Sequence, residues 1–369
     1  MLCCIFNYAP HYRESIYRKI DDNFDTQFYF GREVIEGHQA GIRKIDYSLF
    51  KRRPIEIKNN LILGKILWRT GIIFLPFYKK YSSFLVTGDI SWSYFPFLFF
   101  CKLLHKKVYG WGHGIKNLQG KYSILTKKFF SSLDGFFIYG ELGKKRMIDL
   151  GFSASKYHVI YNSLTDFVDK EIQKSYISDI LYKHFRNSNR ILLFIGRLTL
   201  VKQLDWLIKA LYELKCLGEE YNLLLIGDGP EKENLRNLAK KLGVYDNVWF
   251  YGECYDKKEL NTLIYNSDLC VSPGNIGLTA MHALEYGVPV ISHNCFELQM
   301  PEYEVIVPEK TGMLYQYGDF QDFIKQIQRW FKLGLQRDLV REMCYEIINT
   351  HYNSNYQLLV LKQVLARSK

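Results

Sequence analysis

Short apolar runs alternate with amphipathic stretches along most of the chain. Residues 2–6 read LCCIF and are broken by a polar, proline-bearing loop at 7–12, after which 13–20 carries helical spacing. Runs at 83–87, 107–111, 135–139 and 158–161 repeat the strand pattern, and 141–150 reads as a helix stopped by Gly151. From residue 190 the alternation restarts with sharper punctuation. Strands are expected at 190–195, 221–226, 248–251, 269–272 and 288–292, and helices at 204–214, 231–242, 257–266 and 279–286. Between the two series, 166–189 is polar, rich in Lys, Ser, Asn and Asp, and reads as a linker. The pattern predicts an α/β chain of two doubly wound, Rossmann-like domains, 1–165 and 190–350, with a terminal helix in 351–369.

Length and composition agree with two packed cores. The chain has 369 residues, 48% hydrophobic and 16% aromatic, and no internal repeat of fixed period. Charge is lopsided. Residues 1–185 hold 28 Lys+Arg against 16 Asp+Glu, a net of +12, and the remaining residues hold 21 against 22, a net of −1. The basic half suits an anionic membrane surface or a phosphate-linked acceptor; ordinary solubilising charge is the plainer reading. No recognised nucleic-acid motif accompanies it. The eight cysteines lack CxxC spacing and lie mostly in apolar runs, as reduced, buried thiols do. Nothing in the first residues reads as a signal peptide, because Asn7, Arg13 and Glu14 follow the apolar start closely. Residues 61–77 are interrupted by Lys65 and Arg69, and 94–104 is too short, so neither is expected to span a bilayer; surface attachment through basic and aromatic side chains stays open.

In doubly wound sheets, ligands bind at the carboxyl ends of the strands, so the chemistry is sought in those loops. After 190–195 come Gly196 and Arg197, with Lys202 five residues on. A planar guanidinium and an ammonium there would neutralise a departing diphosphate. After 221–226 come Gly227, Asp228 and Gly229, glycines that let backbone approach a ligand but are also common in strand-to-helix turns. After 269–272 the segment 273–282 runs into a helix, and Gly277, Leu278 and Thr279 would offer free amides to a phosphate, with Thr279 alternatively a plain N-cap. In the first half, Gly110, Gly112 and Gly114 flank Trp111 and His113 in what reads as a tight exposed turn, and Tyr8, His11 and Arg13 follow the first strand as candidate acceptor contacts. No DxD motif and no metal-ligand spacing is present.

The blocks IGRLTLVKQLDWLIKAL, LLLIGDGPEKENL, VWFYGE and SPGNIGLTAMHALEYGVPVIS, in that order over roughly 190–315, resemble the family 4 retaining glycosyltransferases of GT-B architecture, and the last is similar to bacterial enzymes of capsule, O-antigen and other surface polysaccharides. The resemblance implies two Rossmann-like domains facing a cleft, and a terminal helix that crosses back onto the first domain. It implies transfer of a sugar from a nucleotide donor to an acceptor hydroxyl with retention, with no cofactor beyond the UDP- or GDP-linked co-substrate and no metal. Arg197, Lys202 and the amides at Gly277, Leu278 and Thr279 then hold the diphosphate, Glu253 lies near the base, and His113 reaches the donor sugar or the reacting hydroxyl. The family places two glutamates eight positions apart, where this chain has Gly274 and His282. A histidine ring can still bond a ribose hydroxyl, whereas glycine replaces no carboxylate; Asn275, Glu297 or Glu302 is expected to contribute, and Glu285 reads as solvated. The acceptor implied is a glycan, expected to be polyprenyl-diphosphate-linked, and the location a peripheral one on the inner face of the bacterial cytoplasmic membrane. An epimerase of the same fold and a binding-only homologue remain as alternatives.

Overall fold

The computed structural model describes residues 1–33, 43–62, 66–116 and 123–366. Two compact bodies result, Met1–Asp166 with Asn353–Lys369, and Phe167–Tyr352.

The strands of the first body are β1 (Leu2–Phe6), β2 (Thr26–Gly31), β3 (Ile55–Ile57), β4 (Asn59–Ile62), β5 (Ile66–Arg69), β6 (Ser83–Thr87), β7 (Lys107–Gly112), β8 (Gly135–Ile138) and β9 (Tyr157–Val159). Seven of them form one parallel sheet in the order β3-β2-β1-β6-β7-β8-β9, while β4 and β5 pair as an antiparallel hairpin. Alternate residues of β1 enter different cores. Cys3 and Ile5 pack with Phe84, Val86 and Phe97 on one face, and Leu2, Cys4 and Phe6 pack with Ile16, Phe28 and Phe30 on the other. With both faces covered, a strand reads as a continuous apolar block rather than an alternating one. The helix Ser354–Ala366 belongs to this body. Its Val360 and Leu361 join the second of those cores, and its Gln357 accepts from Ser163 (2.7 Å) and donates to the Tyr161 carbonyl (2.8 Å).

The second body contains β10 (Arg190–Ile195), β11 (Tyr221–Ile226), β12 (Val248–Gly252), β13 (Leu269–Val271), β14 (Val290–His293) and β15 (Gly312–Tyr315), all parallel, in the order β12-β11-β10-β13-β14-β15. Strand order therefore reverses between β1 and β6 in one body and between β10 and β13 in the other, the positions where such sheets open a crevice. Residues 166–189 differ from the expected linker. Beyond Asp166 they form two short helices, Lys170–Lys174 and Ile180–Phe185, that fold with the second body: Leu181 and Phe185 are buried, and the His184 ring stacks on Trp249 at 3.7 Å. Their polar composition reflects a wrapping segment with one solvated side.

No helix among the described residues is long and apolar enough to cross a membrane. The apolar stretch 61–77 is divided among β4, β5 and the 3-10 helix Ile72–Phe77, with 63–65 outside the described residues, and 94–104 holds the ten-residue helix Tyr94–Leu103.

Candidate functional site

At the β10/β13 reversal, three loops are locked together by their own backbones. The Gly227 amide donates to the Gly252 carbonyl (2.7 Å), Gly196 to Ile226 (3.0 Å), and Leu198 to Asp228 (2.9 Å). A Cβ on Gly227 would lie 2.0 Å from the Gly196 oxygen, and one on Gly229 would lie 2.4 Å from the Leu198 oxygen. These glycines are thus required by loop-on-loop packing. Asp228 is likewise occupied, accepting from the Gly229 amide (2.7 Å) and from Lys232 (2.6 Å), contacts that hold its carboxyl below the usual range. Glu253 stands exposed and accepts from the Tyr255 hydroxyl at 2.6 Å.

The segment after β10 meets the segment after β13. Lys202 donates through Nζ to the Asn275 carbonyl (2.7 Å) and to Asn275 Oδ1 (2.9 Å), and the Gly274 amide donates to the Lys202 carbonyl (2.9 Å). Burial lowers the Lys202 pKa. Position 274 is glycine for a steric reason, because a Cβ there would sit 2.2 Å from the Val201 oxygen and 2.6 Å from the Lys202 Cα. The helix Leu278–Glu285 begins here with Gly277 at its N-cap and no side-chain cap. Thr279 is not the cap. Its hydroxyl donates to the Ile195 carbonyl (3.3 Å) and ties the end of β10 to the helix start. Among the described residues no side chain caps the first amides of this helix, which lie on the positive end of its dipole. Arg197 follows Gly196 at the same strand end, exposed.

A strut that sequence reasoning missed holds the loop in place. Gln299 is buried, accepts from the Ile276 amide (2.8 Å), and donates to Ser292 (2.8 Å) and to the His293 carbonyl (2.9 Å). A single glutamine in a mixed loop carries no periodic signal. Three residues later Glu302, also buried, comes to the helix start: its Oε2 is 3.9 Å from where a Gly277 Cβ would be. Glu297 is exposed and contacts the Cys295 thiol (3.7 Å). His282 faces Tyr286, ring centroids 5.5 Å apart, and burial pushes its pKa down to about 4, so the imidazole is neutral. Glu285 is not solvated as expected. It is buried, its Oε1 has no hydrogen-bond partner among the described residues, and burial raises its carboxyl to about 8.

The first body has its own cavity, of about 310 Å³, at the β1/β6 reversal. Its walls include Asn7, Tyr8 and Arg13 after β1, Thr87 and Asp89 after β6, and Trp111 and His113 at the end of β7. Arg13 donates to the Tyr139 hydroxyl and lies over the rings of Tyr139 (5.2 Å) and Trp111 (5.6 Å). The exposed His113 ring meets Tyr139 edge-on at 5.0 Å. Gly110 and Gly112 serve packing, since a Cβ on Gly110 would meet Phe136 at 2.5 Å and one on Gly112 would meet Gly88 at 3.3 Å. His11 is not a wall of this cavity; it is exposed, with Nδ1 3.4 Å from the Arg43 carbonyl. A second missed residue is Arg69, fully buried, which donates to Asp89 (2.8 Å) and to Asn7 and so fixes two walls. In the sequence it registers only as an interruption of an apolar run.

A family model described as "Glycosyl transferases group 1" matches residues 182–347. Among curated relatives, the lipopolysaccharide 1,6-galactosyltransferase of Salmonella typhimurium is 25% identical over 60% of this chain and 59% of its own length. A glycosyltransferase of Haemophilus influenzae is 28% identical over 37% of this chain and 38% of its own, and a protein of the Klebsiella pneumoniae cps region is 29% identical over 47% and 46%. The matched stretches thus span less than two thirds of these relatives. Among solved structures, the lipopolysaccharide outer core galactosyltransferase WaaB superposes with a TM-score of 0.71 at 17% identity, and Anabaena HepE in complex with UDP with 0.72 at 14%, each over 100% of both chains. HepE has also been solved with UDP-glucose, at a TM-score of 0.68. The second body thus resembles the group 1 glycosyl transferases over residues 182–347, and the chain as a whole has the GT-B fold.

Proposed function

We propose that the chain transfers a sugar from a UDP- or GDP-linked donor to a hydroxyl of a lipid-linked glycan acceptor in surface-polysaccharide synthesis, with retention and without a metal ion. The observation that carries the reading is the uncapped start of the helix Leu278–Glu285, held against the end of β10 and beside Lys202. In this reading one anion engages both the amide dipoles and the ammonium. In this reading the diphosphate takes over the acceptor role that Asn275 fills for Lys202, and Arg197 folds onto the same charge. As the sugar–phosphate bond breaks, these groups stabilise the departing diphosphate, and a diphosphate oxygen takes the acceptor proton. Neutral His282 bonds the ribose. Glu302 supplies the carboxylate that backbone forbids at Gly274. The printed ligands of HepE, UDP and UDP-glucose, support a nucleotide-sugar donor.

The acceptor is assigned to the cavity beside Arg13, Trp111 and His113, where aromatic faces suit sugar rings and the guanidinium suits a phosphate. The basic N-terminal half then rests on the anionic inner face of the cytoplasmic membrane, where such an acceptor resides. The forbidden carboxylate at Gly274 favours a second reading, a catalytically weak nucleotide-sugar binder. The test is to incubate the protein and its Arg197→Ala variant with a panel of nucleotide sugars and lipid-linked acceptor, with chelator, and to read product by mass. A new glycosylated product, lost in the variant at saturating donor, supports transfer. An isomerised donor means an epimerase, donor binding without product means the weak binder, and wild-type turnover in Arg197→Ala defeats the role given to that residue.

A further inference from the structure

The 3-10 helix Ile72–Phe77 and the helix Tyr94–Leu103 pack side by side, with the Phe77 and Phe100 ring centroids 4.9 Å apart. The longer helix buries Tyr94, Phe97, Leu98 and Cys101 in the first body. A surface helix normally turns polar side chains outward. This one instead leaves Phe99 and Leu103, one helical turn apart, 64% and 61% exposed, and the shorter helix adds Phe74 at 61%. Single exposed apolar residues need no explanation, but a cluster from two adjoining elements does.

The chain through these two helices is basic: residues 70–106 hold four lysines, Lys79, Lys80, Lys102 and Lys106, and a single acid, Asp89, which is engaged by buried Arg69. Lys102 is exposed next to Leu103 in the chain, and Lys79 and Lys80 are exposed two and three residues after Phe77. Lys106 donates to the Tyr78 carbonyl (2.7 Å) and pins the Lys79, Lys80 segment near the end of the longer helix. Aromatic side chains ringed by lysine match the boundary of an anionic bilayer, where rings settle among headgroups and ammonium groups meet lipid phosphates. A second copy of the chain fits less well, because a two-fold contact would set this lysine rim against itself.

We propose that this face, built from Phe74, Phe99 and Leu103 and bordered by Lys79, Lys80 and Lys102, is the surface that docks the protein on an anionic membrane. It rests on the attachment reading above and names where that attachment occurs. The helix enters only to the depth of its side chains, since ten residues reach about half of a bilayer core.

The experiment is co-sedimentation of the full chain with vesicles of phosphatidylcholine alone, or of phosphatidylcholine mixed with phosphatidylglycerol. Three variants are compared: Phe74→Ser with Phe99→Ser, Lys79→Glu with Lys80→Glu and Lys102→Glu, and Leu339→Ser on the second body as control. The wild type and the control are expected on the mixed vesicles, with either patch variant weakened at least about tenfold and thermal stability retained, since every altered side chain is exposed. Patch variants that bind like wild type overturn the surface while leaving attachment intact. Wild-type protein that ignores both vesicle types overturns attachment and surface together. A dimer abolished by Phe74→Ser with Phe99→Ser, in protein that binds no vesicle, assigns the face to a second copy instead.

Discussion

A side chain introduced at Gly274 meets backbone rather than space, because the Val201 oxygen stands 2.2 Å from its first carbon. Gly274→Glu, which would restore the residue the family carries there, is therefore expected to cost about 2–4 kcal/mol of stability and to leave turnover no higher than wild type. A melting temperature unchanged by the substitution would contradict the packing argument. The carboxylate is instead sought at Glu302, beside Gly277. Glu302→Gln keeps the shape of the side chain and removes the charge, so turnover is expected to fall about a hundredfold with donor KM nearly unchanged; steady-state kinetics decide it. At this scale the sequence exposes residues in loops after apolar runs, which is how Lys202, Asn275 and Thr279 are found. It conceals Gln299 and Arg69, whose importance comes from partners distant in sequence: Ile276, Ser292 and His293 for one, Asn7 and Asp89 for the other.

The helix Leu278–Glu285 carries its buried acid at the end opposite its open amides. With the Glu285 carboxyl raised by burial from 4.5 to about 8, the folded protein keeps a proton that the unfolded chain has already released. Between those values unfolding therefore releases a proton, and stability falls as pH rises from about 4.5 to about 8. Glu285→Gln removes this dependence. Thermal melts from about pH 5 to about pH 9 are expected to show a steep decline for wild type and a shallower one for the variant, and parallel curves would refute the burial argument. Among elements, long punctuated runs are legible, as β10 and β11 show. Strand β2 escapes notice because TQFYFG opens on two polar residues, and β3 and β15 because three or four residues hold too little pattern. The wrapping helices of 167–189 escape because their apolar contacts, Leu181 and Phe185, are sparse in a polar stretch.

At the scale of the whole molecule, the chain builds a doubly wound parallel sheet twice, of seven strands and of six, and in the proposed reading each reversal of strand order has its own task. The first body places aromatic rings and a guanidinium at its crevice, and the second places amides and an ammonium at its own. The division follows charge: residues 1–166 with 353–369 hold 28 Lys+Arg against 13 Asp+Glu, a net of +15, and residues 167–352 hold 21 against 25, a net of −4. Low salt should accordingly strengthen vesicle binding far more than donor binding, and equal salt dependence of the two would break that division. The central claim is that a nucleoside diphosphate lies on the helix start beside Lys202. Calorimetric titration of UDP and GDP into the wild type and into Lys202→Ala tests it most directly. The account predicts saturable binding of one of the two, weakened at least about tenfold in the variant. Binding that is unchanged in Lys202→Ala, or absent from the wild type for both nucleotides, would contradict it.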